Sequence, residues 1–124
     1  MNVDTLLLRQ VHPNFMDGDV PTSVAFRPFP NDKEKLSVYD GDLITPEDSY
    51  LHWTTQLGNR SAGVWGVDNH EVTKSGLSSA PDPLPDNPAH ALIAFTGLSD
   101  KEQRKRAKLL LADAIARGCL HKAA

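Results

Sequence analysis

The segment "AHALIAFTGLSDKEQRKRAKLLLADAIARG", residues 89–118, decides the fold class. It opens with an apolar run from Ala91 to Phe95, short enough for a strand and apolar enough to expect burial on both faces of a sheet. Ser99 and Glu102 then form a Ser-x-x-Glu capping box, and Ala107, Leu110, Leu111, Ala114 and Ile115 recur at helical spacing up to Gly118. A strand handing over directly to an amphipathic helix calls for a sheet with a helix laid across one face.

Working outward, the same mixture recurs. Residues 5–12, "TLLLRQVH", read as a first strand ended by Pro13. Alternation places Leu7, Arg9 and Val11 on one face and Leu6, Leu8, Gln10 and His12 on the other, so Arg9 and His12 share a site only if the strand stops before His12. "TSVAFRPFP" is expected to be a short extended piece broken by Pro28 and Pro30, and "KLSVYDGD" a strand closed by an Asp40-Gly41 turn.

Thr45, Pro46, Glu47 and Asp48 mark a helix start, with Tyr50, Trp53 and Leu57 on one face and a stop at Gly58. "SAGVWGV" reads as a strand, and Asp68 with Glu71 as a capping pair for one or two helical turns ending near Gly76. From Leu77 to Pro88 the composition turns to Ser, Pro, Asp and Asn, and no regular element is expected. These elements predict one domain over residues 1–124, of α+β class, with a small mixed sheet of about four strands covered by two main helices. Trp65 is expected in the core, and Trp53 is equally suited to the core or to an interface.

Thirteen Lys and Arg against sixteen Asp and Glu give a formal charge of −3, so neither nucleic acid nor an anionic membrane is an expected partner. The basic stretch "KEQRKRAK" reads as the polar face of the last helix. One cysteine, Cys119, excludes an internal disulfide and a thiolate metal site, and its place after a helix C-terminus disfavours a thiolate. "MNVDTLLLRQV" has no basic region followed by a long apolar run, and no apolar stretch approaches the ~20 residues of a membrane span. A cytoplasmic protein is the expectation.

The five histidines show no metal-ligand spacing, and phosphate-loop and nucleophile-elbow motifs are absent, so no metal or cofactor is expected. What the sequence offers is a scatter of polar residues at strand ends: Arg9, His12, Ser23, Arg27, Ser37, Tyr39 and His90. Brought together, Arg9, Ser37 and Arg27 can bind an anionic or nucleotide ligand, while Arg9, His12, Tyr39 and His90 can move protons. Standing apart, each braces a backbone carbonyl in a loop that lacks ladder partners. The proline-rich loop "PDPLPDNP", residues 81–88, is stiff, acidic and non-periodic. It makes a small accessory domain that binds a protein partner, such as one encoded in the same operon, the first functional expectation, and the nucleotide-binding or enzymatic pocket the alternative.

In combination, "LLLRQVHP", "TSVAFRP", "KLSVYDGD", "TPEDSY", "AGVWGV" and "PDPLPDNPAHALI" resemble a group of small bacterial proteins. Those proteins open with an Arg-x-x-His-Pro strand and close with Pro-Asp-Pro and Asn-Pro-Ala-His-Ala segments. The resemblance implies a bacterial cytoplasmic origin and brings no activity with it. The order of a strand with Arg or His, a Ser-bearing strand and an aromatic helix is also similar to the start of ADP-ribosyltransferase-like folds. Against that likeness stand the short chain and the late glutamates, of which only Glu71 and Glu102 are available.

Overall fold

The computed structural model describes residues 1–29 and 33–124, so the break expected at Pro30 lies outside the described residues. Along the chain come β1 (Leu6–Val11), β2 (Met16–Asp17), β3 (Val20–Pro21), β4 (Lys35–Asp40), α1 (Pro46–Leu51), β5 (Gly63–Asp68), α2 (Asn69–Lys74), β6 (Ser78–Pro81), β7 (His90–Ala94), α3 (Asp100–Arg117) and β8 (His121–Lys122). Among the described residues the main sheet has six strands in the order β6-β7-β4-β1-β5-β8, and β2 and β3 pair separately. Each pairing in both sheets is antiparallel.

The α+β class therefore stands, but the small mixed sheet of about four strands becomes a larger antiparallel one. The four expected strands form its centre as β7, β4, β1 and β5. The two additional strands are edges. β6, "SSAP", falls inside the segment expected to be irregular, and β8 is two residues long. Edge strands are short and tolerate proline because one side of the backbone needs no ladder partner, so neither leaves an apolar alternation to read. Among the described residues only α3, with 18 residues, is a long helix; α1 and α2 have six each. No helix among the described residues is long and apolar enough to cross a membrane.

The helix signals act as the sequence implies. Thr45 Oγ1 accepts from the Asp48 amide, and Asp68 with Glu71 completes both bonds of a capping box. At α3 only half of the expected box forms: Ser99 accepts from the Glu102 amide, while the Glu102 carboxylate turns to Arg106. The "TSVAFRP" piece is not extended, because Ser23–Phe26 winds into a 3₁₀ turn that buries Ala25 and Phe26.

The two faces of the sheet differ in what covers them. One face carries Leu7, Val11, Leu36, Val38, Trp65, Val67, Ala91 and Ile93, and packs with Ala107, Leu110 and Ala114 of α3 and with Phe26 and Phe95. Each buried Val, Leu, Ile or Phe side chain contributes about 1.5–3 kcal/mol of transfer free energy and each alanine less, and this is the main core. Ile115, expected on the inner stripe, is exposed, and Leu111 is only partly buried against the core. β7 buries Ala91 and Ile93 fully, while His90, Leu92 and Ala94 are half-buried, so it is covered on one face and not on both. The opposite face holds a smaller cluster of Leu8, Tyr39, Val64 and Ala89 against Ile44, Tyr50, Trp53 and Leu120.

Candidate functional site

On that second face the helix begun by α1 and the loop before β7 stand on either side of the sheet centre. Of Tyr50, Trp53 and Leu57, which the spacing sets on one face, Tyr50 and Trp53 pack partly buried against the cluster and Leu57 is exposed, while the buried residues of the helix are Ser49 and His52. After Leu51 the helix widens into a π-type turn over His52–Gln56, in which the Leu57 amide reaches back five residues to the His52 carbonyl. Such turns re-aim side chains and recur at functional sites.

The buried helix face is polar because the sheet opposite it is polar. Gln10 Nε2 donates to Ser49 Oγ at 2.9 Å, and Ser61 Oγ donates to Gln10 Oε1 at 3.0 Å. The Tyr39 hydroxyl lies 2.7 Å from His52 Nδ1, and His52 Nε2 lies 2.9 Å from the Asp86 carbonyl oxygen. A carbonyl can only accept, so Nε2 bears the proton and Nδ1 accepts from the tyrosine. Burial, and secondarily the Asp86 charge, push the Tyr39 phenol up to about 12, which keeps it a neutral donor. The proline-rich loop is thereby tied to the fold: Asp86 holds His52, and Leu84 and Asn87 exchange both backbone hydrogen bonds. That tight turn is incompatible with an extended polyproline ligand over Pro85-x-x-Pro88.

Arg9 makes the opening between strands. β1 and β4 pair only at Leu7–Asp40 and Leu8–Tyr39; continuing that register would set Arg9 against Val38 and Gln10 against Ser37. Instead the strands part, and the Arg9 guanidinium donates from Nη1 to the Ser37 carbonyl at 2.9 Å and from Nε to the Ala25 carbonyl at 2.8 Å. A side chain stands in for the missing ladder rung, and the gap becomes the floor of a groove.

The groove has two lobes that share Arg9, Gln10, Ser37 and Trp53. The narrower, about 190 Å³, is walled by Leu8, Val38, Leu57 and Leu84, with Tyr39, Asp86 and His90 also reaching it. The wider, about 580 Å³, is lined by His12, Asn14, Asn59 and Arg60 together with Phe15 and Phe29. Trp53 is fixed by its indole N–H donating to the Arg60 carbonyl at 3.1 Å.

Of the residues singled out from sequence, Arg9, His12, Ser37, Tyr39 and His90 line this one groove. His12 joins because β1 stops at Val11, and His12 then caps the 3₁₀ turn Pro13–Phe15 with Nδ1 accepting from the Asn14 amide at 3.0 Å. Arg27 lies elsewhere, ion-paired at 2.6 Å with Asp100 at the start of α3, and Ser23 sits in the 3₁₀ turn away from the groove lining. His52, Trp53, Gln10, Asp82 and Asp86 carry site roles that no motif signals, since each is defined by a partner at least seven residues away.

His90 bridges a carboxylate and a hydroxyl. Its Nδ1 lies 3.1 Å from Asp82 Oδ2 and 2.9 Å from the Asp82 carbonyl, and its Nε2 lies 3.2 Å from Ser37 Oγ. With two acceptors at Nδ1, the proton belongs there, leaving Nε2 to accept from the serine. The late glutamates that the ADP-ribosyltransferase likeness would need are engaged elsewhere, Glu71 with the Asp68 amide and Arg117, Glu102 with Arg106, and neither lines the groove. No protein-family model matches the chain, and no curated protein or solved structure matches it.

Proposed function

We propose that this domain binds a small amphipathic anion, with nucleotides the first class to examine, in the groove between the π-type turn and the loop before β7. One observation carries the reading: Arg9, His12, Ser37, Tyr39 and His90, from three separate stretches of the chain, line one concave site beside Trp53. Concave, mainly apolar sites with a few convergent polar groups are where proteins hold small ligands. The apolar narrow lobe accepts a planar or hydrocarbon part against Trp53, and the lobe with Arg9, His12 and Arg60 accepts the anionic part.

Titration calorimetry with AMP, ATP and NAD tests it. Micromolar binding, weakened about tenfold or more in Arg9→Met by loss of a charge-assisted contact, supports the reading. An absence of heat with all three, or binding that Arg9→Met and Trp53→Ala leave unchanged, refutes it.

A protein partner remains a second reading, supported by Leu57 at 38% and Leu84 at 41% exposure on the same rim. Such a partner would meet the groove rim and not a free proline-rich arm. Its binding would be lost in Leu84→Asp and untouched by Arg9→Met.

A further inference from the structure

We propose that Ser37, His90 and Asp82 form a nucleophile relay, and that the groove cleaves a carboxylic ester joining a short apolar acyl group to an anionic alcohol. This rests on the groove being a ligand site. The three side chains follow the order that acyl transfer requires: hydroxyl at 3.2 Å from one imidazole nitrogen, and carboxylate at 3.1 Å from the other. They come from β4, β7 and the residue after β6, and the sheet explains their meeting. Ser37 pairs with Leu92 and Tyr39 with His90, so Ser37 and His90 are diagonal neighbours on one face. The Asp82 amide donates to the His90 carbonyl at 2.9 Å, which holds the carboxylate beside the ring.

The trio runs from the surface to the groove: the Asp82 side chain is 47% exposed and lies outside the groove lining. Ser37 is exposed and lines both lobes, whereas the His90 side chain is 14% exposed, so the nucleophile meets ligand while its base is shielded. Arg9, whose Nη1 donates to the Ser37 carbonyl at 2.9 Å, fixes the backbone of the nucleophile's strand and lines both lobes. The lobes assign the two halves of the substrate: Leu8, Val38, Leu57 and Leu84 suit the acyl chain, and Arg9, His12 and Arg60 suit an alcohol carrying phosphate or carboxylate.

In the reaction, Ser37 Oγ attacks the ester carbonyl carbon as its proton passes to His90 Nε2, and the carbonyl electron pair moves to oxygen. Collapse breaks the bond to the leaving oxygen, which takes the proton from His90 and departs as the alcohol. Water then attacks acyl-Ser37, giving its proton to His90; the acid leaves, and Ser37 Oγ recovers the proton. Asp82 keeps the imidazole in the reactive tautomer and stabilises the imidazolium.

The test is labelling of the intact protein by an alkyl fluorophosphonate, read by peptide mass spectrometry, alongside turnover of p-nitrophenyl butyrate. Expected are one adduct on Ser37, none in Ser37→Ala, and labelling about a hundredfold slower in His90→Gln, as for removal of a general base. His90→Gln and Asp82→Asn are checked for folding by circular dichroism, and Asp82→Asn should slow labelling even if His90→Gln unfolds. An unmodified Ser37, an adduct elsewhere, or wild-type labelling rates in folded His90→Gln or Asp82→Asn overturns the proposal. AMP titration of the unsubstituted protein, run beside the labelling, separates the two readings. AMP binding without Ser37 labelling removes only the relay, and labelling without nucleotide binding keeps the relay and removes the nucleotide class.

Discussion

Replacing Tyr39 with Phe removes one hydroxyl from a buried chain of three groups and leaves the ring packing intact. Tyr39 is 4% exposed and His52 9%, so after the change His52 Nδ1 keeps a lone pair that neither protein nor bulk water reaches. Leaving a buried acceptor unmet costs about 1–3 kcal/mol. For a chain of this length a kilocalorie corresponds to about 4 °C in Tm, so a fall of about 4–12 °C is expected. The loss depends on pH with a definite sign. The Tyr39 phenol is pushed from 10.0 up to about 12, chiefly by burial. Its stabilising effect is complete below pH 10 and disappears as pH rises toward 12, because the unfolded chain releases the proton first. Urea unfolding followed by tryptophan fluorescence should therefore show a gap between wild type and Tyr39→Phe that is larger at about pH 8 than at about pH 11. A gap below about 0.5 kcal/mol at pH 8, or one that does not narrow at pH 11, refutes the buried chain. A double-mutant cycle with His52→Leu should return a coupling of about 1 kcal/mol or more, since the two side chains share the bond.

Gly76 ends α2 at φ +76, and a β-carbon there would run into the Arg106 guanidinium that holds the Ser75 carbonyl at 2.8 Å. Gly76→Ala should cost at least about 1 kcal/mol in urea unfolding, and more than Gly97→Ala, whose φ of +81 carries strain but opens on empty space. Arg117 ties the end of α3 to the Gly66 carbonyl at 3.0 Å and to the Glu71 and Asp68 carboxylates at 2.6 and 3.3 Å; Arg117→Met should lower stability by about 1–2 kcal/mol, a loss that shrinks in 0.5 M salt but does not vanish, because the contact to backbone is not an ion pair. Asp113 has its carboxyl pKa raised by burial and by the neighbouring Glu71. Asp113→Asn should therefore give a small rise in Tm at pH 7 that shrinks as pH falls and the native carboxyl becomes protonated, a trend that differential scanning calorimetry reads directly.

The elements legible in the sequence are those governed by contacts close along the chain. Thr45, Pro46, Asp68, Glu71 and Gly76 set helix ends through bonds to neighbours within a turn, and α1 and α2 begin where those residues require. The central strands were legible because a sheet face buried under α3 imposes alternation on Leu7, Val11, Leu36 and Val38. β6 and β8 were not, because an edge strand is specified by its partner's free backbone and not by its own pattern.

The site divides along the same line. Sequence alone picks out Arg9, His12, Ser23, Arg27, Ser37, Tyr39 and His90 as polar residues at strand ends, of which Ser23 and Arg27 lie outside the groove, and it predicts that His12 joins Arg9 only if β1 stops at Val11. Which of them meet was decided by register. Ser37 and His90 are 53 residues apart, and their contact exists because Tyr39 pairs with His90 and not with a residue one place along. A slip of one residue would turn every side chain of β7 to the other face and dissolve the relay. The sequence alone determined the helix caps, the central strands and the chemical inventory, since those follow from local bonds and periodic burial. The tertiary structure alone decided the antiparallel order, the gap that Arg9 fills between β1 and β4, and the anchoring of the proline-rich loop to His52, because each depends on groups that only the closed sheet brings into reach.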